Sequence, residues 1–363
     1  MRVYYFLFLF GLAFLSCSPD ETVDDTGDLQ DIPYEPVEYV IPQPPGFSEM
    51  AQPANNKATV AGVELGHFLF FDPILSDDES LSCSGCHFPE KGFTDGKKVS
   101  TGINGASGSR SSMSLINIGY ASESLFWDGR INNLEAQALL PVEDPLEMAA
   151  QWPEIEERLR NHDLYPEMFR KAFGISNTSE IDRHLVAKAI AQYERSLVSA
   201  NSKFDQYLAT GDAGIFEDEE LNGFLMFNDI EGSGLKDAQC FHCHGGFYLS
   251  ANSFFNNGLD SLQNLTDLGL GAVTNNPADN GKFRATSLRN IAISGPYMHD
   301  GRFETLEQVI NFYSDSVIIS NNLDVNLFDK IELNDEEKES LLAFLNTFTD
   351  TTYLSDPHFL DPF

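Results

Sequence analysis

Two short stretches decide how this chain is read: Cys83-Ser-Gly-Cys86-His87 and Cys240-Phe-His-Cys243-His244. Each is a Cys-x-x-Cys pair followed at once by a histidine, the spacing that covalent attachment of a c-type haem demands. Two thiols add across the two vinyl groups of one porphyrin, and the adjacent imidazole swings beneath the iron as its proximal ligand. A thioredoxin-like redox pair needs no histidine after the motif, and a zinc site wants four ligands close together. Two full copies therefore predict two covalently bound c-type haems, held by Cys83, Cys86 and His87 and by Cys240, Cys243 and His244. His242, inside the second motif, reads as a spacer pointing away from the iron.

Working outward, the chain of 363 residues is long enough for two packed units, and its 42% hydrophobic content with 29 Phe excludes global disorder. From Ser179 to about Ser199 the residues Ile181, Leu185, Val186, Ala189, Ile190, Tyr193 and Leu197 form one helical stripe. A second helix is expected from near Asp218, with Leu221, Phe224 and Leu225 inward. A third opens at Asn334, where Glu337 completes a capping box. Residues 244–282 are Asn/Gly-rich and read as a long loop around the second haem. No β alternation is sustained, so the expected class is all-α with extensive loops, the porphyrins themselves supplying apolar core.

Residues 1–16 carry one Arg, an apolar run from Val3 to Leu15 and Ser16 ahead of Cys17, which is a secretory signal rather than a spanning helix. Leu15-Ser16-Cys17 resembles the lipobox of bacterial lipoproteins, in which the Cys becomes lipidated and is the new first residue. That accounts for the odd one of five cysteines. The expectation is an exported protein, lipid-anchored in the cell envelope and facing the periplasm or the cell surface. Residues 17–53, acidic and then Pro-rich (Pro33, Pro36, Pro42, Pro44, Pro45), read as a tether. Residues 54–215 form the first haem unit and residues 216–363 the second. Asp plus Glu number 56 against 22 Lys plus Arg, a net charge of −34, which repels phosphate backbones and excludes nucleic acid as a partner. The acidity serves solvation or an acidic docking face for a basic partner.

Three further stretches carry a resemblance: Leu65-Gly-His-Phe-Leu-Phe-Phe-Asp-Pro73, Phe126-Trp-Asp-Gly-Arg130 and Pro296-Tyr-Met-His-Asp-Gly301. In order and spacing, from about Gly62 to Phe348, the chain resembles the bacterial dihaem cytochrome c peroxidase family, which includes the methylamine-utilisation MauG branch. The resemblance implies two cytochrome-c-like domains. The N-terminal haem reacts with hydrogen peroxide, and the C-terminal haem takes in electrons or stores an oxidising equivalent. It also implies a small cytochrome c or cupredoxin as electron donor and leaves a homodimer open. Gln137 and Glu147 match the family's distal Gln and catalytic Glu, with Glu143 the nearest alternative carboxylate. A carboxyl in a half-apolar pocket has its pKa raised, which suits moving a proton between two peroxide oxygens. Trp127 matches the tryptophan between the two haems, an oxidisable relay whose other reading is a core aromatic.

The chain departs from the family pattern at several points. Where many members carry a distal His after the first motif, this chain has Ile103, and no other His lies between His87 and His162. The first haem is therefore expected to be open without a protein sixth ligand. The second haem's Met ligand position, seventeen residues beyond Pro296, holds Tyr313. Thr305 and Gln308 form a capping box, and Leu306, Val309, Ile310 and Tyr313 share one face, so Tyr313 points at core or haem. The MauG branch has Tyr in this role, and a phenolate stabilises ferric iron. Met298 is the competing ligand and a merely packed Tyr313 the bland one. The family's calcium ion between domains uses an Asn after an Arg, but here Arg110 precedes Ser111. Carbonyls of Ser294 and Pro296 remain, so calcium is weakened.

Three functions follow. The first is a peroxidase reducing hydrogen peroxide to water. The second is a MauG-like oxidase acting on an external substrate or protein through a high-valent iron state, toward which Tyr313 and Ile103 lean. The third, a plain electron carrier, gains nothing from an open coordination site.

Overall fold

The computed structural model describes Met1 and residues 27–121 and 124–363; the expected signal sequence and the expected lipidation site at Cys17 lie outside the described residues. In chain order the helices are α1 (Val60–Phe71), α2 (Leu134–Glu143), α3 (Trp152–Arg160), α4 (Tyr165–Phe173), α5 (Arg183–Ser196), α6 (Lys203–Thr210), α7 (Asp218–Phe227), α8 (Phe241–His244), α9 (Leu270–Thr274), α10 (Leu306–Asn311) and α11 (Asp335–Asn346). Two residue pairs, β1 (Phe254–Phe255) and β2 (Phe283–Arg284), make one antiparallel ladder, with Phe254 opposite Arg284. The fold is all-α, and no helix among the described residues is long and apolar enough to cross a membrane.

Each half is built on one close helix crossing. α1 lies against α5 so tightly that a Cβ on Gly66 would sit 2.0 Å from Ala189 O. α7 meets α11 in the same way, with a Cβ on Gly223 placed 2.1 Å from Ser340 O. A glycine is the one residue that lets two helix backbones approach so closely. α5 begins four residues later than its stripe suggests. Asp182 caps it by accepting from His184 N and Leu185 N, while Thr178–Glu180 forms a separate 3₁₀ turn. Ile181, Val186, Ala189, Ile190, Tyr193 and Leu197 are all buried as the stripe requires. The capping box at α11 forms reciprocally, Glu337 N donating to Asn334 Oδ1 (3.0 Å) and Asn334 N to Glu337 Oε2 (2.8 Å). The second core is a stack of phenylalanines, with Phe344 and Phe348 ring centroids 4.9 Å apart and Phe227 and Phe204 against them.

Residues 27–53, expected as a tether, lie along the body instead. Leu29 N donates to Ser176 O (3.0 Å), Val60 N to Val37 O (2.8 Å), and Leu29, Phe47 and Met50 are buried. Proline and acid are prominent in this stretch, but Leu29, Phe47 and Met50 are spaced to be buried one at a time. An extended chain can do that without any helical period. The division at 215/216 is also crossed in both directions. Phe204 of α6 packs on Phe348 of the second core, and the last twelve residues return to the first unit, where Tyr353 and Phe359 are buried.

Candidate functional site

The first motif folds as one tight turn. Cys86 N and His87 N both donate to Cys83 O, at 3.1 and 3.0 Å. His87 Nδ1 lies 2.8 Å from Phe93 O, and because a carbonyl can only accept, the ring donates there and keeps Nε2 as its remaining ligand atom. The second motif repeats the arrangement in α8. His244 N donates to Cys240 O (2.9 Å) and His244 Nδ1 lies 3.3 Å from Leu249 O. His242 is exposed.

Burial pushes the Cys83 thiol up to about 12 and the Cys86 thiol up to about 11. Cys240 and Cys243 are likewise pushed up to about 12 by burial. A redox-active pair needs a depressed thiol pKa, so these are not thioredoxin-like cysteines. Burial also lowers both histidines, His244 to about 4, which keeps the imidazoles neutral as metal ligation requires. Among the described residues no three His, Cys, Asp or Glu side chains are grouped to hold a metal ion directly. Thiols flanking a turn, an imidazole with Nδ1 already engaged and a neighbouring apolar space fit a covalent haem at both motifs.

The space at the second motif is a cavity of about 240 Å³ lined by Cys240, Cys243, His244, Trp127, Met298 and Tyr313. Tyr313 is not on α10 itself. That helix runs to Asn311, and Phe312–Ser316 forms a wider π-turn that carries Tyr313 to the cavity wall. Asn257 Nδ2 donates to the Tyr313 hydroxyl (3.1 Å) and lies 3.5 Å from Met298 Sδ, so one amide touches both candidate ligands. Burial pushes the Tyr313 phenol up to about 12.

At the first motif the distal residues come from α2 and the loop that returns along it. Met148 N donates to Pro141 O (3.2 Å) and Ala150 N to Val142 O (2.8 Å), folding the Glu147 loop back on the helix. Glu147 is half-buried, and its charge reaches both the Cys83 and the Cys86 thiol. Burial lifts its carboxyl above the usual range, Asp144 adds to this and Arg130 opposes it. Gln137 Oε1 is buried without a hydrogen-bond partner. No hydrogen bond joins Gln137 to Glu147; the helix and its return loop set their separation. Glu143 is exposed. Ile103 is buried, and its N–H donates to Glu147 O (2.9 Å), so the loop that could have carried a histidine fastens the Glu147 backbone.

Trp127 joins the two units. Its indole Nε1 donates to Ser111 O (2.9 Å), its carbonyl accepts from Arg284 N (3.0 Å), and its ring borders the second cavity. Its neighbour Asp128 accepts from Arg110 (2.6 Å) and Arg130 (3.1 Å), while Arg110 also binds Asp267 of the second unit (2.7 Å). Ser111, the residue that weakens the family's calcium site, donates its Oγ hydrogen to Met298 O (2.9 Å).

Glu194 escaped the sequence reading. Burial pushes its carboxyl up to about 8, its Oε2 has no partner, and its charge reaches Cys83. The signal was its place four residues after Ile190, on the face that α5 buries. Asn257 gave no signal, because loop contacts have no period.

An all-α chain of two haem-attachment units, each with its own cofactor turn, defines a dihaem c-type oxidoreductase. Residues 60–213 match the family model described as di-haem cytochrome c peroxidase. The chain is 33% identical over 297 residues to the methylamine utilization protein MauG of Methylophilus methylotrophus, covering 81% of this chain and 84% of that one. It is 36% identical over 290 residues to cytochrome c551 peroxidase of Nitrosomonas europaea, covering 79% of each. A crystal structure of a MauG-like protein associated with microbial copper homeostasis superposes with a TM-score of 0.77 at 34% identity, covering 88% of this chain and 97% of the other. The chain belongs to the di-haem cytochrome c peroxidase family and is an oxidoreductase of the peroxidase type.

Proposed function

We propose that the chain reduces hydrogen peroxide to two waters at its first site, using two protons from solvent and two electrons from a small cytochrome c or cupredoxin that enter through the second. The observation that carries this reading is Glu147. It is a half-buried carboxyl lifted above its usual pKa, within electrostatic reach of both first-motif thiols and on the loop that returns along α2, the helix carrying the unpartnered Gln137 amide oxygen. When bound, the haems supply one iron at which the O–O bond can break and a second that passes electrons on. Glu147 takes the proton from one peroxide oxygen and returns it to the other, which leaves as water. Gln137 orients the peroxide by accepting from it with an amide oxygen that has no competing partner. Trp127, hydrogen-bonded to Ser111 of the first unit and Arg284 of the second, offers an indole for electron relay.

Reduced small cytochrome c and peroxide, mixed with the holoenzyme, should give steady turnover. Turnover that falls steeply with salt supports a basic donor meeting the acidic surface. No donor oxidation, with a long-lived oxidised spectrum after peroxide, favours the second reading, a MauG-like oxidase of an external substrate. The observation behind that second reading is Tyr313 in the cavity wall. We further propose export and lipid anchoring through Cys17 in the cell envelope; Cys17→Ser should release the protein from membranes and change its mass.

A further inference from the structure

The last twelve residues leave the second unit and cross to the proximal side of the first motif. Asp350 fixes the point of departure, accepting from Ser199 Oγ (2.8 Å) and Asn201 N (3.0 Å). Tyr353 is then buried with its hydroxyl donating to Pro89 O (2.8 Å), two residues after His87. Its ring and that of Phe359 both sit on Phe93, at centroid distances of 6.4 and 6.3 Å. Phe93 is the residue whose carbonyl holds His87 Nδ1 (2.8 Å).

Phe93 is also strained. Its φ is +57°, a left-handed backbone that a bulky side chain adopts only when its surroundings over-determine it. Its ring is fully buried against Phe70, Tyr353 and Phe359, and two of those three come from the returning segment. The turn closes on its own backbone, Phe88 N donating to Thr94 O and Phe93 N to Phe88 O, both 2.9 Å. Ser114 Oγ donates to Gly92 O (2.6 Å) and Ser112 Oγ lies 3.3 Å from His87 Nδ1, and none of these bonds reaches the Phe93 ring.

We propose that the segment Thr352–Phe363 is a positioning strap for the first haem's proximal ligand. By clamping Phe93 and Pro89 it holds the carbonyl that orients His87, so the unit that carries the second haem sets the orientation and basicity of the ligand in the first. A hydrogen bond from Nδ1 raises the basicity of the ring's metal-binding nitrogen, and loosening it weakens the bond to iron. Tyr353 and Phe359 are positioning residues; neither touches the distal side where Gln137 and Glu147 lie. The proposal rests on the haem reading of the first motif, which the spectrum of the unaltered holoenzyme reports independently.

The test compares holoenzymes of Tyr353→Phe, which removes one hydroxyl, and Phe359→Leu, which keeps apolar volume but loosens the ring contact. Resonance Raman of the reduced protein and redox titration read each haem separately. We expect the first haem's iron–histidine band to move to lower frequency and its potential to become more positive. The second haem should be unchanged, and Phe359→Leu should exceed Tyr353→Phe. A native band and potential in both variants, with proteolysis showing the strap released, would overturn the proposal. So would an equal shift in both haems, which marks general loosening. If Phe359→Leu does not assemble, Tyr353→Phe alone decides, since losing one hydroxyl leaves the packing intact.

Discussion

The two attachment turns are near copies, and what stands across from each differs. Both fasten the histidine Nδ1 to a carbonyl of the following loop, Phe93 in one and Leu249 in the other, and both bury their thiols. Facing the first are Glu147, with a lifted carboxyl, and an amide oxygen with no partner. Facing the second is a cavity walled by Tyr313 and Met298, two side chains that can occupy an iron. Identical attachment chemistry therefore serves both cofactors, and in the proposed function the opposite wall decides whether that iron meets a substrate or is closed to it. Glu147 comes from a helix return loop and Tyr313 from a π-turn, neither of which belongs to the attachment motif.

The largest test of that contrast removes the acid at the open wall. Glu147→Gln keeps the shape and loses the proton, and general acid–base groups contribute roughly 10²–10⁴-fold. Peroxide turnover should fall by about that factor while the mass still shows two haems, and unchanged turnover would take Glu147 out of the mechanism. Next comes the closed wall. Tyr313→Phe should abolish any phenolate charge-transfer band and raise the second haem's potential on the order of 100 mV, within the roughly 0.8 V that axial ligands span. An unaltered spectrum breaks the assignment and moves attention to Met298, where Met298→Leu becomes the informative variant. The bridge between the walls is expected to matter less. Trp127→Phe, read by interhaem electron transfer after rapid reduction, should slow it by roughly tenfold, about 1.4 kcal/mol of barrier. An unchanged rate leaves Trp127 as packing around its Ser111 hydrogen bond.

The contrast was partly legible in the sequence. The attachment turns were, because covalent geometry admits one spacing, and so were the buried face of α5 and the capping box of α11, which follow local rules, while the start of α5 at its Asp182 cap was not. Glu147 was visible only through resemblance, since a carboxylate on a chain with 56 acidic residues has nothing local to distinguish it. What marks it is the return of its loop onto α2 and the backbone bond to Ile103, both set by distant pairing. Residues 27–53 misled for the opposite reason. Their composition is that of a solvated linker, yet Leu29, Phe47 and Met50 each find a place in the body. The crossing of the C-terminal strap was invisible, because an aromatic at position 353 or 359 carries no sign of which unit will bury it.

That strap offers the finest adjustment of the comparison, since it carries the second unit's chain onto the first motif's turn. It docks through a histidine pair. His67 Nε2 lies 2.6 Å from Leu360 O, and His358 Nε2 lies 2.7 Å from Ser196 Oγ, with the two rings 5.8 Å apart. Tyr193 stacks on His67 at 4.8 Å, and Tyr39 stacks on His358 at 6.0 Å. The charged groups facing the pair are Glu64 and Asp361 toward His67 and Asp356 toward His358. Burial, with His67 beside it, lowers His358 to about 4 from an ordinary value near 6.5, and burial lowers His67 as well. A histidine whose pKa falls on docking costs nothing above pH 6.5, where it is neutral whether docked or free. Below that pH the free strap gains a proton that the docked one refuses, so docking weakens progressively down to about pH 4 and levels off beneath it. Protease cleavage within residues 352–363 should accelerate several-fold as pH drops through that window. His358→Gln, which cannot take a proton, should flatten the dependence and leave only the smaller part carried by His67. A pH profile identical in the variant and the unaltered protein would mean that the carboxylates, not the histidines, govern the strap.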